Sequence, residues 1–498
     1  MPAFAAAGYT RRAMHGCASI RHLSLAGLLI GGPTCALLAA CALQRYEPAP
    51  LDPVASARAF ESRSTDSPGL KQYMLAHGHP ASDWPVQRWG LTELTLLAFY
   101  YQPDLELARA QAAVARAQIA AATQRPPIGL KPVVWHHSLQ TPETTGLWSL
   151  GFEVEIPLSG SARREAISEQ YGSLAQSAEL SVGSVAWSVR SELRARFLDC
   201  YAAGRTIELL DGEGRERRSL VALLQRRFEA GAASALELSS ARLKLAELEA
   251  QYQGAQLARG LCLGGLARAL GLPLAAVGAM SFDFAAFEQI PVPESDAGVQ
   301  RTALLNRLDV RAKLYDYAAA DAGVKLEIAR QYPSVTLSPG YLWDQGDNIW
   351  SLVATVLVPA AGNKPAIQAA QARREAAARA FIALQGKVIS EADAARAHYL
   401  KAREGAEVAR RVVELQAARG KEAKKQFDAG HTDRVELTLS RLEALAAEHN
   451  ALTTSLETQR ALGTLEDALQ LPLAAAPLPS WVRDKTQAQN STPGLARQ

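Results

Sequence analysis

Two glutamates invite a chemical reading first. Glu237 and Glu436 each lie six residues after a glycine, Gly231 or Gly430, inside two matching phrases. These are "FEAGAASALELSSARL", from Phe228, and "FDAGHTDRVELTLSRL", from Phe427; they align without a gap at an offset of 199, with seven of sixteen positions identical. A carboxylate so placed has two uses. It is a first-turn acid favoured by a helix dipole, or, where copies converge, part of an acidic ring that favours cations. Cys200 and Cys262 lie about thirty residues from Gly231 on opposite arms of the first phrase, at similar height in an antiparallel hairpin. A disulfide and plain burial of two small residues both fit that placement. His136 and His137 are adjacent near an expected strand. Neighbours on a strand point to opposite faces, which favours an exposed polar pair over a metal site. The sequence contains no HExxH, Walker loop, GxSxG, GxGxxG after a strand, or CxxC, so no catalysis, metal centre or cofactor is expected.

The amino-terminal segment sets the compartment. Arg11, Arg12 and Arg21 precede the apolar, acid-free run Leu23–Cys41, the layout of an export signal over 1–40; Met14 is a second candidate start. A membrane-spanning helix is the competing reading, but Gly31, Gly32 and Pro33 interrupt the run. Its end, "LAAC", resembles a bacterial lipobox with Cys41 as the lipidated residue, and Ala42 behind it favours the outer membrane. Exported thiols meet an oxidising compartment. The leader holds three of the 53 Lys and Arg, so the remaining cations balance the 50 acids. A neutral mature chain gives no case for nucleic acid.

Positioning these residues falls to a duplicated unit. "WSLGFEVEIPLSG" (Trp148 to Gly160) answers "WSLVATVLVPAAG" (Trp350 to Gly362), and "LARALGLPL" answers "LEDALQLPL". With "PDLELARAQAAVARAQIAAATQRPP" from Pro103 answering "LDVRAKLYDYAAADAGVKLEIARQYP" from Leu308, and the two opening phrases, these make four matches in one order and mean an internal duplication. We expect a Pro-rich extended tether over 41–90, repeat one over 91–280, a linker over 281–298, repeat two over 299–474 and a disordered tail over 475–498. Each repeat reads helix, two strands, long helix, turn, helix. Strands are expected near 130–138, 148–157, 334–343 and 349–359, with Trp148, Leu150, Phe152 and Val154, and then Trp350, Leu352 and Val356, on one apolar face. No proline occurs from Ser161 to Arg227, room for a helix of roughly 100 Å; Gly172, Gly183, Gly204, Gly212 and Gly214 are expected weak points. Leu193, Phe197 and Cys200, and Leu245, Leu248, Tyr252, Ala255 and Cys262, form heptad-like seams that pack helices lengthwise.

Four strands facing lipid cannot close a barrel, because unpaired backbone in hydrocarbon is costly and single-chain barrels start at about eight strands. Three copies would supply twelve. With the lipobox, the tether, the doubled helix–hairpin unit and an F-x-A-G turn in each half, the chain resembles the TolC family of outer-membrane efflux proteins from about Trp89 to Leu473. The resemblance implies a mainly α fold with a small membrane β-barrel contribution: a homotrimer whose 12-stranded barrel continues into a long periplasmic helical barrel. It also implies a lipid-anchored exit duct serving a periplasmic adaptor and an inner-membrane resistance-nodulation-division pump. An adaptor or coiled-coil scaffolding lipoprotein is the alternative; adaptors carry one helical hairpin rather than two. By the same resemblance the tip and gate fall at Phe228, Gly231, Glu237, Phe427, Gly430, Thr432, Arg434 and Glu436. The phenylalanines are expected to pack under the turns and the next helices to start near Ser234 and Thr432. The family's better-known members pair the repeat-one acid with an Arg in the second turn, where this sequence has Thr432, followed by Asp433 and Arg434.

Overall fold

A computed structural model of the chain describes residues 45–138, 146–158, 160–291, 298–359 and 362–473. The leader 1–40 with Met14, Cys41 and the tail 475–498 lie outside the described residues. Two units are distinguished, Met1–Arg58 and Ala59–Gln498. In the first, Asp52 accepts from the amide of Val54 at 2.8 Å where helix α1 (Pro53–Glu61) starts.

The second unit is two copies of one plan. Repeat one comprises α2 (Pro68–Ala76), α3 (Leu91–Tyr101), α4 (Pro103–Ala122), β1 (Gly129–His136), β2 (Trp148–Leu158), α5 (Ser161–Glu229), α6 (Ala235–Leu270) and α7 (Leu274–Gly278). Repeat two comprises α8 (Val299–Asn306), α9 (Leu308–Ala329), β3 (Ser334–Asp344), β4 (Asp347–Leu357), α10 (Lys364–Asp428) and α11 (Arg434–Leu469). Pro68, Pro103 and Pro365 sit in first turns, where a missing amide costs nothing. At 69 and 65 residues, α5 and α10 are each about 100 Å long. The glycines expected to weaken α5 do not interrupt it. Gly214 is buried and Leu248 of α6 packs over it, so lateral packing outweighs the roughly 1 kcal/mol per glycine lost in helix propensity.

Long helices pair along their apolar seams. Leu193, Phe197 and Cys200 of α5 are buried with Cys262 and Leu266 of α6, and farther along Leu210 meets Leu248 and Ala255. Repeat two buries Val388, Ala392 and Tyr399 of α10 against Ala461, Leu462 and Leu465 of α11. The repeats are joined by buried charge: the Arg190 guanidinium donates to Glu466 Oε2 at 3.1 and 3.2 Å, and Arg194 Nε lies 3.6 Å from the same oxygen. Arg194 also donates to the Gln459 carbonyl and side chain at 2.9 and 3.0 Å. Beside them, burial pushes the Asp467 carboxyl up, although Ser191 and Trp187 both donate to it.

Two expectations need correction. The tether was to be extended, but α2 folds back on the helices with Leu70 and Met74 fully buried. The Arg63 guanidinium donates to the carbonyls of Tyr101 and Gly271, both at 2.8 Å, and Tyr101 donates to the Ser64 carbonyl at 2.8 Å. Apolar burial and the carbonyls left bare at two helix ends hold this segment down. The linker, too, is more than a break. Phe282, Phe284 and Phe287 gather around Phe197 with ring centroids 4.7–5.8 Å apart, and Phe282 bridges Trp89. Linker residues 292–297 lie outside the described residues.

Candidate functional site

At one end of the helices the four strands form a single antiparallel sheet in the order β1-β2-β3-β4. The central pair, β2 and β3, joins the repeats in a register that sets Phe152 opposite Tyr341 and Ile156 opposite Leu337. Together the registers bring Leu130, Val134, Trp148, Leu150, Phe152, Val154, Tyr341, Trp350, Leu352 and Val356 onto one face. That face is bare: Trp148 is 55% exposed, Trp350 79% and Leu352 72%. The reverse face is largely polar. Lys131 Nζ sits 2.7 Å from Glu155 Oε1 and 3.6 Å from Glu153 Oε2, and Ser149 is fully buried against Asp344. His137 Nε2 lies 2.8 Å from Ser149 Oγ and 2.9 Å from Asp344 Oδ1, while His136 packs edge-on against Trp148. The two histidines therefore part as their adjacency requires. Among the described residues, no group of three or more His, Cys, Asp or Glu is placed to hold a metal. Nor is any helix among them long and apolar enough to cross a membrane. Neither the outer edge of β1 nor that of β4 has a strand partner among the described residues.

At the far end lie the two turns. Each long helix closes identically: the amide of Gly231 donates to the Phe228 carbonyl at 2.9 Å and that of Ala232 to Arg227 at 2.7 Å. Gly430 donates to Phe427 at 3.0 Å and His431 to Gln426 at 2.8 Å. Both glycines hold φ of 75°, the left-handed cap that a side chain would strain. Phe228 stays 43% exposed, so it is only partly tucked beneath its turn, and Phe427 is half-buried.

The glutamates differ. Glu237 completes a capping box: Ser234 Oγ accepts its amide at 3.2 Å and its carboxylate accepts the Ser234 amide at 2.8 Å. The Ser234 amide and hydroxyl hold its carboxyl below the usual glutamate range. Of the two uses open to these glutamates, Glu237 takes the first-turn one, as half of a capping box. Glu436 is exposed, and its side chain makes no hydrogen bond or ion pair among the described residues. Its amide donates at 2.9 Å to Asp433, which caps α11 in place of the expected Thr432.

Asp433 has a second partner, unforeseen from the sequence. Arg227, in the last turn of α5, donates to its carboxylate and ties the two turns together. The Glu436 amide and the Arg227 guanidinium hold the Asp433 carboxyl below its ordinary value. Relative to the expected arrangement the charges are reversed: repeat one supplies the cation and repeat two the acid. Arg434 makes no ion pair among the described residues. The available signal was the non-equivalence of the copies, since Ser234 in one turn becomes Asp433 in the other.

Between the two ends, Cys200 and Cys262 are bonded, with Cα atoms 5.3 Å apart. This decides between the two uses left open for them. At the matching places of repeat two, 199 residues on, stand Tyr399 and Ala461, both fully buried.

No protein-family model and no curated protein matches the sequence. Solved structures do. CusC, described in the context of transmembrane channel formation, is 16% identical with TM-score 0.63, covering 79% of this chain and 95% of its own. The outer-membrane channel OprN is 19% identical with TM-score 0.62 over 87% of this chain and 100% of its own. The MtrE outer-membrane channel of Neisseria gonorrhoeae is 17% identical with TM-score 0.62 over 78% and 91%. Identities this low establish architecture alone, and on that basis the chain has the TolC-type fold of these channel proteins.

Proposed function

We propose that the chain is one subunit of an outer-membrane exit duct, passively conducting what an inner-membrane resistance-nodulation-division pump and a periplasmic adaptor deliver. One observation carries this reading: an exposed apolar sheet face on a sheet whose two edges are unpaired among the described residues. In hydrocarbon such edges must be met. Three copies pairing β4 of one subunit with β1 of the next would close a barrel of about twelve strands, within the even-numbered range. Trimerised, the long hairpins would continue that barrel as a helical tunnel ending at the Gly231 and Gly430 turns. Lipidation of Cys41 would anchor each subunit; the duct needs no metal, cofactor or catalysis.

The test is fractionation and conductance. The proposal expects heat-resistant trimers in outer-membrane fractions that form pores in planar bilayers. Recovery as a soluble monomer without pore activity would overturn it and favour an adaptor-like lipoprotein.

A further inference from the structure

The cations around the sheet are unevenly placed. No Lys or Arg occurs between Lys131 and Arg163, nor between Arg330 and Lys364. All four crossings between helix and strand carry one: Arg125 before β1, Arg163 and Arg164 after β2, Arg330 before β3 and Lys364 after β4. Antiparallel pairing puts these four crossings at the same end of the sheet, the end that meets the helices. Arg125, Arg164, Arg330 and Lys364 are all exposed. Arg330 pairs with Glu327 at 2.6 Å, whereas Arg125, Arg163, Arg164 and Lys364 make no ion pair among the described residues. Glu165 and Glu327 are the acids in these crossings, so cations outnumber acids there. Exposed Tyr332 stands at the same level. The opposite end carries Asp344 and Asp347 with Trp135, Trp148, Trp343 and Trp350, and no Lys or Arg.

We propose that the crossing residues Arg125, Arg163, Arg164 and Lys364 form a girdle that binds anionic phospholipid headgroups of the leaflet facing the helices. The inference rests on the reading that the apolar sheet face spans a membrane. Where such a face ends, the next layer outward is phosphate, and its negative surface potential attracts basic side chains within about a Debye length. Arg and Lys can lay their methylenes along the apolar boundary while the charged group reaches the phosphates. The tryptophans at the other end suit a membrane–water interface as well, but no Lys or Arg accompanies them there. Charge complementarity thus gives the sheet a direction as well as a depth.

The test uses the full-length protein purified in neutral detergent, with phosphatidylglycerol or phosphatidylcholine added to the micelles. The thermal midpoint should rise by about 5 °C with phosphatidylglycerol and hardly at all with phosphatidylcholine. The triple variant Arg125→Gln, Arg164→Gln, Lys364→Gln should lose most of that difference while keeping its lipid-free midpoint, its oligomeric state and its pore conductance. Equal stabilisation by both lipids, or an undiminished phosphatidylglycerol effect in the variant, overturns the girdle. A change in ion selectivity without a change in lipid response overturns it too, by putting the cations on the water-filled path. Flotation of the wild type with phosphatidylcholine vesicles separates the two readings. Failure to float refutes the membrane-spanning sheet itself, whereas floating without lipid preference refutes only the girdle.

Discussion

At the scale of single residues, the two turns show how a duplicated phrase acquires different jobs. Gly231 and Gly430 do the same thing in both copies, because the left-handed cap depends on backbone alone. Glu237 and Glu436 have diverged: one is held in its capping box, the other stays free in water. Asp433 both caps α11 and receives Arg227. Its carboxyl is held below the ordinary value of 3.8. The pairing therefore contributes fully above about pH 4 and is lost as pH falls through the depressed folded value. Arg227→Gln should loosen the turns at neutral pH, seen as amide exchange about threefold faster in both, the scale of one half-exposed ion pair. Asp433→Asn keeps the cap and removes the charge, so it should match Arg227→Gln and abolish the acid response. Unchanged exchange in both variants would show that the pair does not hold the turns together.

At the scale of elements, lateral packing governs. Five glycines do not break α5, because its buried face rests on α4, α6, α9 and α11. The disulfide between α5 and α6 encloses a sequence separation of 62 residues. Loop closure over that length is worth about 4 kcal/mol in an unstructured chain, an upper bound where the helices already pair. We expect Cys200→Ala with Cys262→Ala to lower the heat-dissociation midpoint by several degrees. Strong reductant should reproduce that drop in the wild type and add nothing in the variant. Identical midpoints would mean that α5 and α6 need no covalent link. Repeat two meets the same packing problem with Tyr399 against a small residue, Ala461.

At the scale of the whole molecule, the sheet is what motivates the proposed trimer. It exposes an apolar face and, among the described residues, two edges without a strand partner, which pairing with further copies would meet. In a trimer, three Glu436 side chains would converge near the narrow end while the Glu237 carboxylates stay committed to Ser234. Glu436→Gln should lower the cation-to-anion permeability ratio in planar bilayers by roughly twofold or more, as expected when an acidic ring loses its charge. A ratio equal to wild type would leave Glu436 as a solvated first-turn residue.

Much of this architecture was legible without coordinates, because it is written in period and repetition. Alternation at Trp148–Val154, the proline-free span after Ser161 and the doubled glycine turns each follow from local backbone rules, and the observed elements fall within a few residues of the expected ones. What the sequence alone left undecided were the meetings of distant side chains. Cys200 with Cys262, Arg227 with Asp433, Arg190 and Arg194 with Glu466, and the folding of α2 onto the helices all depend on which faces come together. Periodicity says that a face will be buried. Only the tertiary structure decides what it is buried against, because burial energy is nondirectional while hydrogen bonds and ion pairs need a partner at a given distance.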